Sequence, residues 1–217
     1  MANRVYLVNP VAYHHQYLTD NEIIYIHIPK VAGHGLMSSL GLETPGHIHL
    51  VAYELENPTR FYEFFKIGFV RNPWDRLVSA YFFLFNKQLS SLYNQYMLRE
   101  IGHLGRFDHF VREYAKNETF RKRMDKEVYF KPQYAWMINT LGQLEMNYIG
   151  RYENLSEGFA VLKKKLNKPD AQLQVKNRSE HLPFWEYYTE ELVELVRFIY
   201  KIDIGMFRYE FPYEKLK

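Results

Sequence analysis

A chain of 217 residues that is 47% hydrophobic and 18% aromatic carries enough apolar surface for a full core, which excludes a disordered segment and predicts one domain over 1–217. Its net charge of +3, from 28 basic and 25 acidic residues, is too balanced for a nucleic-acid-binding face and suits a small or moderately anionic ligand. The absence of cysteine excludes disulfides, thiolate catalysis and cysteine zinc sites together.

Met1 to Pro10 lacks a signal-peptide apolar region, and no run of about 18 apolar residues offers a membrane span. A soluble, cytoplasmic protein is therefore expected. The β-branched and aromatic run Ile23 to Ile28 predicts a strand buried on both faces, ended by Pro29. Gly33 and Gly35 permit a sharp turn, and a helix follows through Leu40. His47 to Leu50 reads as a short strand or loop. Asn57-Pro58 and Asn72-Pro73 each pair an N-cap with proline at the first helical position. Between them Phe65 to Val70 forms a second buried strand. The second of these helices runs to about Phe85. Further helices are predicted over Ser91–Arg99, Phe107–Ala115 and Pro132–Ile138.

Tyr148 to Gly150 reads as a third strand, followed by a helix over Leu155–Leu166. Asn167 to Glu186 reads as a long loop. Thr189 caps a helix whose apolar stripe includes Leu192, Val193, Val196 and Ile199. Strands alternating with helices predict an α/β sandwich around a central parallel sheet. The basic runs at 121–123 and 163–165 read as solvated helix faces.

Two segments stand out: Ile26-His27-Ile28-Pro29-Lys30-Val31-Ala32-Gly33-His34-Gly35, and Gly68 through Tyr81. Each runs from a strand through a tight turn into a helix and places a cation at the strand end. They read as two halves of a site for a ligand with two separated phosphate-like groups. The first is not a nucleotide-triphosphate P-loop, because Lys30 precedes Gly33 and no Ser or Thr follows. In the second, Arg71 offers a planar fork for a phosphate. Ser79 lies about two turns into the helix, its side chain tilted back toward the helix start. Arg76 is expected in a salt bridge with Asp75 or another surface acid, and Trp74 and Tyr81 in the core.

Both segments resemble the sulfotransferase superfamily, in its carbohydrate (family 2 type) branch. Pro29-Lys30-Val31-Ala32-Gly33 is similar to the family's 5′-phosphosulfate loop, and Phe69 through Tyr81 to its 3′-phosphate motif. Weaker similarity continues through Pro132-Gln133, Gly150–Leu155, Asn177-Arg178-Ser179 and Tyr200–Ile204. The resemblance implies a P-loop-NTPase-like three-layer sandwich with a central mostly parallel sheet flanked by helices. It also implies 3′-phosphoadenosine 5′-phosphosulfate (PAPS) as co-substrate, with no metal. By position, Lys30, Val31, Ala32, Gly33, His34 and Gly35 would line the 5′-phosphosulfate, and Arg71 and Ser79 the 3′-phosphate. The family usually has Ser or Thr hydroxyls near positions 31, 34 and 35. This chain has Val31, His34 and Gly35, which leaves backbone N–H contacts.

A base is needed to take the acceptor's proton. His47-Ile48-His49 resembles the His-x-His element of uronyl 2-O-sulfotransferases, and His49, followed by Ala52 and Glu54, matches best. His49 is therefore the expected catalytic base beside Lys30, with His47 as an orienting contact. The other readings of the pair are a metal site, for which no third ligand is evident nearby, and ordinary loop histidines. The expected reaction is sulfuryl transfer to a hydroxyl of an acceptor, a saccharide by resemblance. The alternatives are a degenerate nucleotide- or glycan-binding protein of the same fold, or a phosphotransferase. Loops around 86–106 and 168–186 would shape the acceptor pocket, with Tyr93, Tyr96, Phe184 and Trp185 available to stack on rings.

Overall fold

The computed structural model describes residues 12–85, 91–174 and 181–216. The elements in chain order are α1 (Gln16–Thr19), β1 (Ile23–Ile26), α2 (Gly33–Ser39), α3 (Leu50–Glu56), α4 (Pro58–Glu63), β2 (Phe65–Val70) and α5 (Pro73–Phe85). There follow α6 (Leu92–Ile101), α7 (Phe107–Lys116), α8 (Glu118–Met124), β3 (Tyr148–Arg151), α9 (Leu155–Lys165), α10 (Glu190–Ile199) and α11 (Lys201–Phe207). They fall into two compact units, Met1–Val70 with Gln133–Gln174, and Arg71–Pro132 with Val175–Lys217.

The first unit holds a parallel sheet in the order β1-β2-β3, with Ile26 opposite Gly68 and Val70 opposite Arg151. All four residues of β1 are buried, as the unbroken apolar run requires. Helices α1 and α9 flank the sheet, and α9 sits close because Gly158 has no side chain: a Cβ there would lie 2.2 Å from the Phe69 ring. The architecture is α/β, as expected. Strand β1 ends at Ile26, two residues before its apolar run does, and the chain turns at Pro29 and Lys30.

The second unit is helical. Helix α10 packs on α7 and α5, and α7 on α8. Local caps behave as read: Asn57 Oδ1 accepts from Arg60 N, and Thr189 Oγ1 from Leu192 N. Ser91 does the same for Asn94 N. Among the described residues no helix is long and apolar enough to cross a membrane.

Of the strand and loop readings of His47–Leu50, the loop holds as far as His49, which is the N-cap of α3, and Leu50 opens that helix. Pro132–Ile138 is not a helix but a 3-10 turn at Tyr134–Trp136, followed by a bridge from Ile138 to Leu144. Asn139 Oδ1 accepts from both Leu141 N and Gln143 N, and that local turn competes with helix. Helices α1, α3 and α11 were not anticipated, while α8 carries the basic run 121–123 that reads as a helix face.

Candidate functional site

The loop after β1 is built on backbone of alternating hand. Lys30 has φ 69° and Ala32 φ 65°, while Val31 between them stays at negative φ. A non-glycine residue in the left-handed region costs on the order of 1–2 kcal/mol, so two in one short loop mark a conformation imposed by the fold. Backbone of alternating hand can turn successive N–H groups to one side, the geometry of an anion-binding nest. Val31 is wholly buried, so its side chain belongs to the core and only its backbone serves the loop. His34 is exposed.

Beneath the loop lies His27, a buried residue of the Ile23–Ile28 run. Its Nδ1 is 2.7 Å from the Pro45 carbonyl oxygen. A carbonyl only accepts, so Nδ1 carries the proton and Nε2 the lone pair. Burial, reinforced by the nearby His47, pushes the pKa of His27 down to about 3, so the ring is neutral at neutral pH. A Cβ on Gly33 would fall 2.2 Å from His27 Cδ2 and 2.3 Å from Nε2. His34 meets the His27 ring edge-on at 5.1 Å, and His47 lies 4.2 Å from it.

His47 Nδ1 donates to the His27 carbonyl at 2.7 Å, and His49 Nδ1 to the Ala135 carbonyl at 3.0 Å. In both rings this assigns Nε2 as the basic nitrogen. The His49 ring also lies flat on the buried Trp136 indole, 4.1 Å between centroids and 16° between planes. Trp136 touches His47 as well, at 6.1 Å. Five residues on from His49, the buried Glu54 carboxylate accepts from Thr140 N at 2.6 Å and Thr140 Oγ1 at 2.9 Å. Helix α3 is thus tied at both ends to the stretch 135–140, which fixes where His49 stands. His27, Trp136 and Thr140 were not singled out in the sequence.

In the second unit, Arg71 follows directly on β2 and is nearly buried. Its Nε donates to Asp75 Oδ2 at 2.7 Å and its Nη2 to Asp75 Oδ1 at 2.8 Å. This bidentate grip one helical turn away sets the plane of the guanidinium. It also corrects the expected pairing of Asp75 with Arg76. Arg76 is buried instead; burial lowers its pKa, and Tyr200, Asp203 and Tyr114 oppose that shift. Ser79 is 1% exposed on α5.

The start of α5 is held rigidly. Asn72 Oδ1 accepts from Trp74 N, Trp74 Nε1 donates to Val193 O, and Tyr188 OH donates to Trp74 O. Trp74 and Tyr81 are core residues, as expected. Tyr93 OH donates to Glu127 and its ring packs on Tyr129, while Phe184 packs on Tyr188 and Phe211, so these two aromatics serve packing. Asn177, Arg178 and Ser179 lie outside the described residues. Among the described residues no group of three or more His, Asp or Glu side chains is placed to hold a metal ion.

A family model described as "Sulfotransferase family" matches residues 14–210. The chain belongs to the sulfotransferase family, of the family 2 type, whose general reaction is sulfuryl transfer. Searches of curated proteins and of solved structures each returned no significant match.

Proposed function

We propose that this chain is a PAPS-dependent sulfotransferase that acts on a hydroxyl, with a saccharide as acceptor. The observation that carries the reading is the left-handed pair Lys30 and Ala32, which curls a cation-bearing loop after the first strand of a parallel sheet in a chain of this family. The backbone N–H groups of that loop and the Lys30 ammonium would receive the 5′-phosphosulfate. Arg71 and Ser79 would receive the 3′-phosphate. The fold is then P-loop-like, and 1–217 one transferase domain.

In the proposed step, His49 Nε2 takes the acceptor's hydroxyl proton as the oxygen bonds to sulfur. The bond from sulfur to the bridging phosphate oxygen breaks in line, and Lys30 stabilises the charge that develops there. The chain's contribution is positioning and preorganised charge, as in phosphoryl transfer.

The test is a transfer assay with isotope-labelled PAPS and a mixed glycan acceptor pool. Label transfer that is lost in His49→Ala supports the reading. Tight binding of 3′-phosphoadenosine 5′-phosphate with no transfer to any acceptor would support a degenerate binding protein instead. Magnesium-dependent ATP turnover would point to a phosphotransferase.

A further inference from the structure

The helical unit contains an open cleft of about 610 Å³, which neither the loop motifs nor the candidate base uses. Its volume falls in the range of small-ligand sites, about 300–1,000 Å³. One wall is aromatic. Phe82 and Tyr187 are half-buried, with ring centroids 4.7 Å apart, and both pack against the buried Phe107. The wall is preset: Tyr187 OH accepts from Leu182 N at 3.1 Å, which fixes the ring by its far end.

The lining also carries charged side chains, and these are already paired. Arg112 Nη1 donates to Asp108 at 2.7 Å and its Nη2 to Glu191 at 3.0 Å, while Arg106 Nε donates to the other Asp108 oxygen at 2.9 Å. Glu186 adds a further carboxylate to the lining. A carboxylate or sulfate entering here would have to displace these pairs and sit beside acidic groups. An uncharged ring with several hydroxyls faces neither penalty. It can lay its C–H face on Phe82 and Tyr187 and turn its hydroxyls to the fixed donors and acceptors of the lining.

We propose that this cleft binds a neutral pyranose ring of a saccharide and discriminates against uronate-bearing ones. Only the statement that this ring belongs to the acceptor rests on the transferase reading; the binding itself does not. Phe82 lies three residues after Ser79, one turn along α5, so this helix would serve both donor and acceptor recognition.

The experiment is ligand-observed NMR and calorimetry on the full chain with lactose, maltose and chitobiose. A glucuronate-containing disaccharide and p-nitrophenol serve as comparators, and 3′-phosphoadenosine 5′-phosphate is titrated in parallel. We expect at least one neutral disaccharide to bind ten times more tightly than the uronate. That binding should weaken at least tenfold in Phe82→Ala and be kept in Phe82→Tyr, whose melting temperature should match the wild type. No neutral saccharide binding, equal or better uronate binding, or binding of the phenol alone would overturn the proposal, and these comparisons need no variant. Nucleotide binding without saccharide binding sinks this inference and spares the transferase reading; the converse sinks the transferase reading alone.

Discussion

The His27 imidazole fills the space that a side chain at Gly33 would need, with its Cδ2 atom 2.2 Å from the position of that Cβ. The strand's continuation and the start of α2 are therefore fitted to each other through one buried ring. Because the ring is also held by the Pro45 carbonyl, it has little room to yield.

Gly33→Ala should destabilise the protein by about 1–3 kcal/mol through overpacking, and should weaken nucleotide binding by displacing the loop. Adding His27→Ala to it should recover part of both losses, because the clash disappears. A double-mutant cycle on thermal unfolding and on affinity measures the coupling. Strictly additive effects would show that the two residues do not interact.

The same ring makes a pH prediction. Burial is the main reason its folded-state pKa drops from 6.5 to about 3. The unfolded chain therefore binds a proton below pH 6.5 that the folded chain refuses until near pH 3. Stability should fall as pH is lowered through that window, by a few kcal/mol at most. His27→Gln, which keeps a polar group but no titration, should flatten the curve between pH 6 and 4. Denaturant melts across that range check it, and an unchanged slope would contradict it.

For His49, the Trp136 indole and the Ala135 carbonyl supply its position. Trp136→Leu should lower kcat about tenfold with nucleotide affinity intact, whereas His49→Ala should lower it on the order of 100-fold or more. Trp136→Phe, which keeps a flat partner, should fall between wild type and Leu. Glu54→Gln should also reduce kcat, since it weakens the tie to Thr140 at the far end of α3. A steady-state comparison of kcat and KM for the four variants tests this. Loss confined to KM would move Trp136 and Glu54 out of a positioning role.

Much of this fold was legible because its signals are local. Asn57 and Thr189 cap the helices they announce, β1 follows from an unbroken apolar run, and β2 from a run broken only by Lys66 and Gly68. The proposal for Lys30 to Gly33, and for Arg71 with Ser79, rests on a related signal, their spacing along the chain. The roles of His27 and Trp136 were not legible, because they come from partners distant in sequence, with Ala135 lying 86 positions after His49. Arg76 was misread because Asp75 is adjacent in sequence but one helical turn from Arg71, and the turn decides the pairing. The basic run 121–123 marked α8 as a helix but not where it starts, because Asn117 both ends α7 and caps its successor.

Arg71 grips Asp75 with two parallel bonds, and lysine cannot reproduce that fork. Arg71→Lys should weaken binding of 3′-phosphoadenosine 5′-phosphate at least tenfold, although the charge is retained. Adenosine 5′-phosphate, which lacks the 3′ group, should lose much less. Competition titrations with the two nucleotides measure the difference, and equal losses would place Arg71 away from the 3′-phosphate.

The central claim is a two-phosphate nucleotide site, and isothermal titration with 3′-phosphoadenosine 5′-phosphate tests it most directly, with ATP as comparator and Arg71→Ala as control. The account predicts micromolar binding to the wild type, at least tenfold weaker binding in the variant, and no comparable binding of ATP. Absence of binding to the wild type, or binding that Arg71→Ala leaves unchanged, would contradict it.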